Sequence, residues 1–197
     1  MALFQVFSHS GPLAGNNRRL RFCPQCGTRF EAKRLAQFER QRCGQCAFVH
    51  YLNPMPGMTM IVRSPTGNVL IGRRKATAWY GDTWCLPGGY IEYEESFIEA
   101  AHREVREETG LEVRIKGIVN VVSNHLDDWH HTIVIVLLGD ALGEHCTPGD
   151  DLVELRWIGR NEHQGIGYGF EADRRIIDGY FAGNLHVLPI DARMEQG

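Results

Sequence analysis

Residues 89–111 read GYIEYEESFIEAAHREVREETGL, and this stretch carries the strongest local signals in the 197-residue chain. Ser96 followed by Glu99 forms a capping box, which predicts a helix that begins at Ser96 and runs to Thr109. Apolar side chains at i, i+4 and i+8 predict a buried stripe on that helix: Phe97, Ala101 and Val105. The segment therefore predicts an amphipathic helix packed on a core.

Three carboxylates crowd the last turn of this predicted helix. Glu104 and Glu108 are one turn apart, and Glu107 lies beside both. Like charges at this spacing repel one another and also oppose the helix dipole at its C-terminus. Arg103 can offset part of this charge by an i, i+4 pair with Glu107, and Arg106 can help. The remainder calls for a cation such as Mg²⁺, which prefers hard oxygen ligands and for which Mn²⁺ can substitute.

The residues around the helix form a pattern that a solvated acidic face does not require. The segment resembles the Nudix box at every defining position, which are Gly89, Glu95 and residues 103–111. Residues 81–89, GDTWCLPGG, are similar to the loop that precedes the box in this family. Residues 72–74 resemble the end of the strand before that loop. The resemblance extends over about residues 58–181, although its specific motifs occupy only 72–111.

The resemblance implies an α/β fold, an α/β/α sandwich around a mixed sheet, and a Mg²⁺-dependent hydrolase that cleaves a diphosphate linkage. Glu107 and Glu108 match metal ligands, and Glu104 matches a metal ligand or a base that orients water. Arg103 matches the residue that orients the glutamates, and the Gly89 carbonyl matches a further metal ligand. Glu95 matches a position tied to structure. The attacking group would be water, without a covalent enzyme intermediate.

Strand patterns surround the helix in the order expected for such a sandwich. Residues 58–64 and 68–74 are strand-like runs whose connecting turn chemistry predicts a hairpin. Residues 113–124 and 131–142 predict further strands, and the second is almost entirely apolar, so we expect it at the centre of the sheet. A second helix is predicted over residues 171–181, with Gly183 as its stop.

Six cysteines include four in a metal-binding pattern. Two CxxC pairs are separated by sixteen residues and predict a tetrahedral zinc site: Cys23, Cys26, Cys43 and Cys46. We expect Gly27 and Gly44 to supply backbone freedom in the two turns. A pair of disulfides is the alternative, which a reducing compartment disfavours. With four thiolates on the ion the zinc is structural, whereas Cys85, within an apolar run, predicts a small buried hydrophobe.

Charge and composition divide the chain into three parts. We predict a flexible N-terminal arm over residues 1–20, the zinc ribbon over 21–50 and the Nudix hydrolase domain over 51–197. Residues 1–50 hold eight Lys/Arg and two Asp/Glu, a net charge of +6. Because the whole chain has a net charge of −3, residues 51–197 carry −9. No run approaches ~18 apolar residues and the start lacks a secretory pattern, so we expect a cytoplasmic protein without membrane contact.

A four-cysteine ribbon ahead of a Nudix domain is similar in layout to NADH, ADP-ribose and FAD pyrophosphatases. The NADH enzymes carry a Ser-Gln-Pro-Trp-Pro-Phe-Pro type signature after the box, and nothing like it follows Leu111. We therefore expect a nucleotide substrate, with ADP-ribose first and FAD or NADH next. Nucleoside triphosphates remain an alternative.

Two other uses of the ribbon stay open. The basic ribbon could bind nucleic acid while the Nudix fold binds a nucleotide as a sensor. Against this, no obvious run of aromatic residues accompanies the basic residues of the ribbon, and a protein that only senses a nucleotide would not need the full set of glutamates. The ribbon could instead hold a homodimer together, which is compatible with catalysis.

Residues outside the box must provide the substrate contacts and the general base. Asp150, Asp151 and Glu154 are loop candidates for the base. Six aromatic residues are available to stack on a nucleobase, although we expect a core or surface role for each: Trp79, Tyr80, Tyr90, Tyr93, Trp129 and Tyr168.

Overall fold

A computed structural model describes residues 6–7, 20–30, 40–125 and 130–190, with the backbone alone at 6–7. Most of the predicted arm, residues 31–39 of the ribbon and Trp129 lie outside the described residues. The elements are the strands β1 (Val6–Phe7), β2 (Gln41–Arg42), β3 (Val49–His50), β4 (Met55–Arg63), β5 (Val69–Arg74), β6 (Trp84–Cys85) and β7 (Gly88–Tyr90), the helix α1 (Phe97–Thr109), the strands β8 (Val113–His125), β9 (His131–Ala141) and β10 (Leu152–Ile158), a 3₁₀ turn (His163–Gly165) and the helix α2 (Glu171–Phe181).

A mixed sheet forms the middle layer. Its strands lie in the order β1, β8, β9, β4, β5 and β10, while β6 pairs with β5 and β7 pairs with β4. The β9 strand is antiparallel to β8 but parallel to β4, with Met58 opposite Ile135. The apolar strand β9 therefore lies inside the sheet, as its sequence predicted. The predicted hairpin is β4 and β5, which pair antiparallel.

The sheet buries a core on each face because its central strands are apolar on both sides. On β4, Met60 and Val62 pack beneath α1, whereas Ile61 packs on the opposite face beneath α2. Ile176 and Ile177 of α2, the second predicted helix, are buried there. The predicted α/β/α sandwich is confirmed.

The local signals of α1 are all present. The Glu99 backbone N–H donates to Ser96 Oγ at 3.3 Å, and the Ser96 N–H donates to the Glu99 carboxylate at 2.7 Å. Gly110 ends the helix in the left-handed conformation at φ 70°. Of the predicted apolar stripe, Ala101 and Val105 are fully buried, whereas Phe97 packs against the same core but is only partly buried. The capping box thus fixes where the helix begins, and so which turn carries the glutamates.

The ribbon consists of two similar turns beside the short β2–β3 pair. In the first, the Gly27 N–H donates to the Cys23 carbonyl at 2.9 Å, and in the second the Ala47 N–H donates to the Cys43 carbonyl at 3.1 Å. Gly27 has the expected positive φ of 73°, but in the second turn the positive φ, 62°, falls on Ala47. The expectation that Gly44 supplies this freedom was wrong, because the left-handed residue follows the second cysteine of each pair.

No helix within the described ranges is long and apolar enough to cross a membrane.

Candidate active site

A cavity of about 310 Å³ lies between α1, the sheet and the first turns of α2. The glutamate turn and the loop before β10 form its acidic wall: Glu104, Glu108, Asp150 and Asp151. Gly89 and Tyr90 form the adjoining edge, and Arg74 provides a basic side chain. Gly89, Glu104 and Glu108, which the sequence pattern singled out, therefore meet at one cavity.

The three glutamates of α1 occupy different environments. Glu104 and Glu108 are buried, with 8% and 3% of their surface exposed. The Glu107 side chain is 52% exposed and is not among the residues that line the cavity. The helix therefore directs Glu104 and Glu108 inward and leaves Glu107 at the rim.

Arg103 ties this rim together. Its guanidinium donates to the carboxylates of Glu104 at 2.8 Å and Glu107 at 3.1 Å, and its Nε donates to Glu95 at 3.0 Å. The i, i+4 pair predicted from the sequence is present. Arg106 does not join the cluster, because it pairs with Glu112 at 2.7 Å beyond the end of the helix. Arg103 alone among the helix's arginines therefore offsets the glutamate charge.

The Pro-Gly-Gly turn fits closely against α1. The Gly88 N–H donates to the Glu108 carboxylate at 2.9 Å. A side chain at Gly89 would overlap the Glu104 carboxylate in its present position, so any other residue here would require that carboxylate to move. The backbone of β7 and two carboxylates of α1 consequently share one edge of the cavity.

Burial makes the charged forms of these carboxylates costly. Burial raises the pKa of Glu108 to about 8, and the charges of Glu104 and Asp150 act in the same direction. Burial likewise raises the pKa of Glu104, against the opposing effect of Arg103. Buried carboxylates that share a cavity are paired with a cation or remain protonated. The donor set, all oxygen and acidic, fits a hard divalent cation.

The three candidates for the general base, Asp150, Asp151 and Glu154, differ in whether they reach the cavity. The Gly149 N–H donates to the Glu108 carbonyl at 3.0 Å, which holds the following Asp150 near the glutamates. Asp150 has a positive φ of 43°, and Asp151 pairs with Arg74 at 3.2 Å. Glu154 lies inside β10, pairs with Arg73 at 2.8 Å and does not line the cavity. Asp150 and Asp151 therefore remain at the cavity, and Asp150 is the loop candidate for the base because Asp151 is paired with Arg74.

The family follows from a comparison of the whole sequence with family models. Residues 53–179 match the model described as NUDIX domain, and residues 21–52 match the one described as Nudix N-terminal. The chain belongs to the Nudix hydrolase family. The first match covers β4 to β10, α1 and most of α2, so the Nudix assignment rests on more than the box.

Individual Nudix proteins resemble this chain over different lengths. An ADP-ribose pyrophosphatase of Methanocaldococcus jannaschii is 32% identical over 131 residues, which are 66% of this chain and 75% of that protein. The NAD-capped RNA hydrolase NudC of Pseudomonas aeruginosa is 26% identical over 167 residues, which are 84% of this chain but 57% of that protein. A solved NUDIX hydrolase from Nitrosomonas europaea superposes with a TM-score of 0.74 at 26% identity, covering 83% of this chain and 91% of that one.

The four cysteines of this Nudix protein's ribbon converge on one point. The four sulfur atoms lie within 4.8 Å of one another. The Cys23 and Cys46 sulfurs are 3.6 Å apart, and those of Cys26 and Cys43 are 3.5 Å apart. These separations exclude disulfide bonds and are close to the edge of a tetrahedron with Zn–S distances of about 2.3 Å. The residues present therefore fit a four-thiolate zinc site.

Two further expectations were tested by burial and position. Cys85 is buried as predicted, and burial raises the pKa of its thiol. Trp79 and Tyr90 line the cavity, whereas Tyr93 is almost fully exposed. Trp79 and Tyr90 are exposed at the surface, as expected, and in addition face the cavity.

Asp173 of α2 also lines the cavity of this Nudix domain, although nothing in the sequence predicted it there. Its carboxylate is buried in the cavity wall and accepts a hydrogen bond from the Leu86 N–H at 2.9 Å. Burial raises its pKa to about 7, while Leu86 and Arg74 act in the opposite direction. The only sequence signal is an acid in the first turn of a helix, which usually indicates a favourable interaction with the helix dipole.

Proposed function

We propose that residues 51–197 form a Mg²⁺-dependent hydrolase that cleaves the diphosphate linkage of a nucleoside diphosphate joined to another moiety. The observation that carries this proposal is the convergence of Glu104, Glu108 and Asp150 on one cavity. An acidic cavity repels an anionic diphosphate unless a cation lies between them. The same carboxylates that would exclude the substrate therefore favour it once a divalent cation is bound.

The metal ligands in this proposal are Glu104, Glu107, Glu108 and the Gly89 carbonyl. When bound, Mg²⁺, or Mn²⁺ in its place, neutralises phosphate charge and lowers the pKa of coordinated water. Glu107 completes this set from the exposed rim, where Arg103 holds its carboxylate near that of Glu104. Mutual repulsion among the three carboxylates explains why Arg103 donates to two of them.

The remaining residues position the reactants. Asp150 or Glu104 accepts a proton from the attacking water, whose oxygen forms a bond to one phosphorus. The bond from that phosphorus to the bridging oxygen breaks, and the other phosphate leaves with the bridging oxygen and its electron pair. Arg74 lines the same cavity and supplies positive charge to a substrate phosphate, while Asp151 fixes its guanidinium at 3.2 Å. The net reaction consumes one water molecule.

The substrate assignment places ADP-ribose first, followed by FAD or NADH. The similarity to a relative named ADP-ribose pyrophosphatase supports this order, since that alignment covers 75% of the relative. A similarity to a NAD-capped RNA hydrolase points to the same class of linkage, a diphosphate that joins a nucleoside to a second moiety. The absence of the NADH-type signature after Leu111 keeps NADH behind ADP-ribose.

The ribbon has a structural role in this proposal. Four cysteines around one zinc ion leave no coordination position open for substrate, so the metal contributes folding energy to a segment too small for its own core. Free thiols at these positions fit a reducing compartment such as the cytoplasm. A ribbon that also pairs two chains is compatible with the same site.

A substrate panel tests the proposal. Purified protein is incubated with ADP-ribose, FAD, NADH, NAD-capped RNA and nucleoside triphosphates, with Mg²⁺ or without divalent metal. We expect metal-dependent cleavage, fastest for ADP-ribose, and a loss of about 10²-fold or more in Glu107→Gln. Glu144→Gln, which alters an exposed glutamate away from the cavity, is the matched control. No metal-dependent cleavage of any member would contradict the enzyme, and full activity of Glu107→Gln would contradict the role of Glu107.

A further inference from the structure

Part of the cavity lies along the sheet, and the residues that line this part have no role in the proposed chemistry. Its floor is apolar and consists of Val122 from β8 with Val134 and Val136 from β9. The two β9 residues alternate along the strand, so they lie on one face of the sheet together with Thr132. We call the part of the cavity lined by Val122, Val134, Asn124 and Thr132 the sheet arm.

The far end of the sheet arm is polar. Asn124 and Thr132 face each other in register across β8 and β9. Thr132 is 5% exposed, and its buried hydroxyl has no hydrogen-bond partner among the residues that the structure describes. A buried hydroxyl without a partner is costly, and buried polar groups in proteins are nearly always hydrogen-bonded. This hydroxyl at the wall of a cavity indicates a ligand that provides the partner.

The distance from the glutamates to this end matches the length of a nucleotide. Gly89 pairs with Met58 on β4, and Met58 pairs with Ile135 on β9. Thr132 lies three residues before Ile135, so two strand spacings and three residues separate it from Gly89, which is about 14 Å. A ligand whose phosphate lies at Gly89 therefore reaches Thr132 with a base attached through a ribose.

Aromatic side chains line the opening of the same cavity. Trp79 and Phe170 both line it, with their ring centroids 6.3 Å apart. Trp79 also contacts the His130 ring at 4.5 Å, so the indole lies against the residue that precedes β9. Nucleobases stack on aromatic faces, and such a contact contributes roughly 1–3 kcal/mol. An apolar floor, an aromatic rim and a polar end together form a site for a flat base with a polar edge.

We propose that the sheet arm binds the nucleobase of the substrate, with Asn124 and Thr132 hydrogen-bonded to its edge and Trp79 against its face. The class of base is adenine, since an asparagine amide pairs with the adjacent donor and acceptor of adenine. The Thr132 hydroxyl supplies a further hydrogen bond. The inference rests on the proposed function for the position of the phosphates.

Calorimetry with two ligands tests this site without catalysis. AMP and ribose 5-phosphate, which lacks the base, are titrated into the full chain with Mg²⁺ present. Thr132→Val keeps the shape of the side chain and removes the hydroxyl. We expect this variant to bind AMP about 3- to 10-fold more weakly, as for one lost hydrogen bond, and to bind ribose 5-phosphate as the wild type does. Thr66→Val, at an exposed turn between β4 and β5, is the matched control.

Thermal unfolding of the ligand-free protein distinguishes a ligand contact from a structural one. Because the hydroxyl has no described partner, Thr132→Val is expected to leave Tm unchanged or to raise it. A fall in Tm would overturn the inference, since the hydroxyl would then stabilise the free protein. Unchanged AMP affinity, no AMP binding, or an equal loss for ribose 5-phosphate would also overturn it.

The outcomes separate this inference from the proposed function. Metal-dependent hydrolysis together with unchanged AMP affinity in Thr132→Val refutes the base site and leaves the enzyme intact. AMP binding that depends on Thr132, without hydrolysis of any substrate in the panel, refutes the enzyme and leaves the base site intact.

Discussion

Replacing Glu108 by glutamine should remove a pH-dependent loss of stability from the metal-free protein. Glu108 is 3% exposed, and its carboxylate accepts one hydrogen bond, from the Gly88 N–H at 2.9 Å. Burial raises its pKa from 4.5 to about 8. In the unfolded chain the same carboxyl group is solvated and ionises at its ordinary pKa.

The sign follows from the number of protons bound in each state. Between the two pKa values the folded protein keeps a proton on Glu108 that the unfolded chain has released. The free energy of unfolding therefore falls as pH rises through this window, and the contribution is lost by the time the pH passes the folded pKa. With about 1.4 kcal/mol for each pH unit, the wild type loses roughly 3–5 kcal/mol from this group. Glu108→Gln cannot ionise and lacks this loss.

Urea denaturation followed by tryptophan fluorescence measures the effect. The wild type and Glu108→Gln are unfolded at pH 5 and at pH 8.5 in buffers freed of Mg²⁺ without a strong chelator, so that the ribbon zinc is retained. Glu107→Gln, with a half-exposed side chain, is the control. We expect the variant to gain stability relative to the wild type as pH rises, and Mg²⁺ to stabilise the wild type more than the variant at pH 8.5. Parallel pH profiles for the wild type and Glu108→Gln would refute the argument.

Three further predictions concern the ribbon and the helix. Freshly purified protein should contain one equivalent of zinc by elemental analysis, and Cys26→Ser should lower this content; zinc-free protein with intact fold would contradict the four-thiolate site. Ala47→Gly should stabilise the zinc-bound ribbon by about 1 kcal/mol, because Ala47 has a positive φ of 62°. The rate at which a chelator removes zinc measures this effect. We expect slower removal from the variant, and equal or faster removal would count against the prediction. Ser96→Ala should lower the free energy of unfolding by about 1 kcal/mol in urea, because the cap is lost; an unchanged midpoint would show that the cap contributes nothing.

The features that the sequence predicts well are local ones. The bounds of α1 follow from the capping box at Ser96 and from Gly110, and α2 has the predicted bounds of Glu171–Phe181. The first cysteine turn, with Gly27 left-handed as expected, is likewise a short-range feature, whereas in the second turn the left-handed residue is Ala47 and not Gly44. In each case the residues that specify the structure lie within a few positions of the structure they specify.

Long-range contacts within the sheet and cavity were not predicted. The parallel pairing of β4 with β9 joins Met58 to Ile135, and periodicity within either strand does not indicate the partner. The Asp173 carboxylate meets the Leu86 N–H across 87 positions of sequence. Such contacts depend on how the layers of the sandwich pack against one another. The residues near Asp173 in the sequence therefore do not indicate that its carboxylate is buried.

Two residues, Arg106 and Glu154, have different partners or positions from those expected. Arg106 was expected to offset the glutamates, but the helix ends at Gly110 and brings Glu112 back to it. Glu154 was expected in a loop, but β10 begins at Leu152 and places Glu154 beside Arg73. The Arg106 error concerns the course of the chain after the helix, and the Glu154 error concerns where a strand begins; side-chain charge alone specifies neither.

Hydrolysis of ADP-ribose in ¹⁸O-labelled water tests the central claim most directly. Products are analysed by mass spectrometry with Mg²⁺ present and after its removal. We expect AMP and ribose 5-phosphate in equal amounts, with one ¹⁸O atom in the phosphate of one product and none in the other, and no product without a divalent metal. Undiminished cleavage without metal, or no cleavage of ADP-ribose or of any related diphosphate with Mg²⁺ present, would contradict metal-dependent hydrolysis at the glutamate-lined cavity.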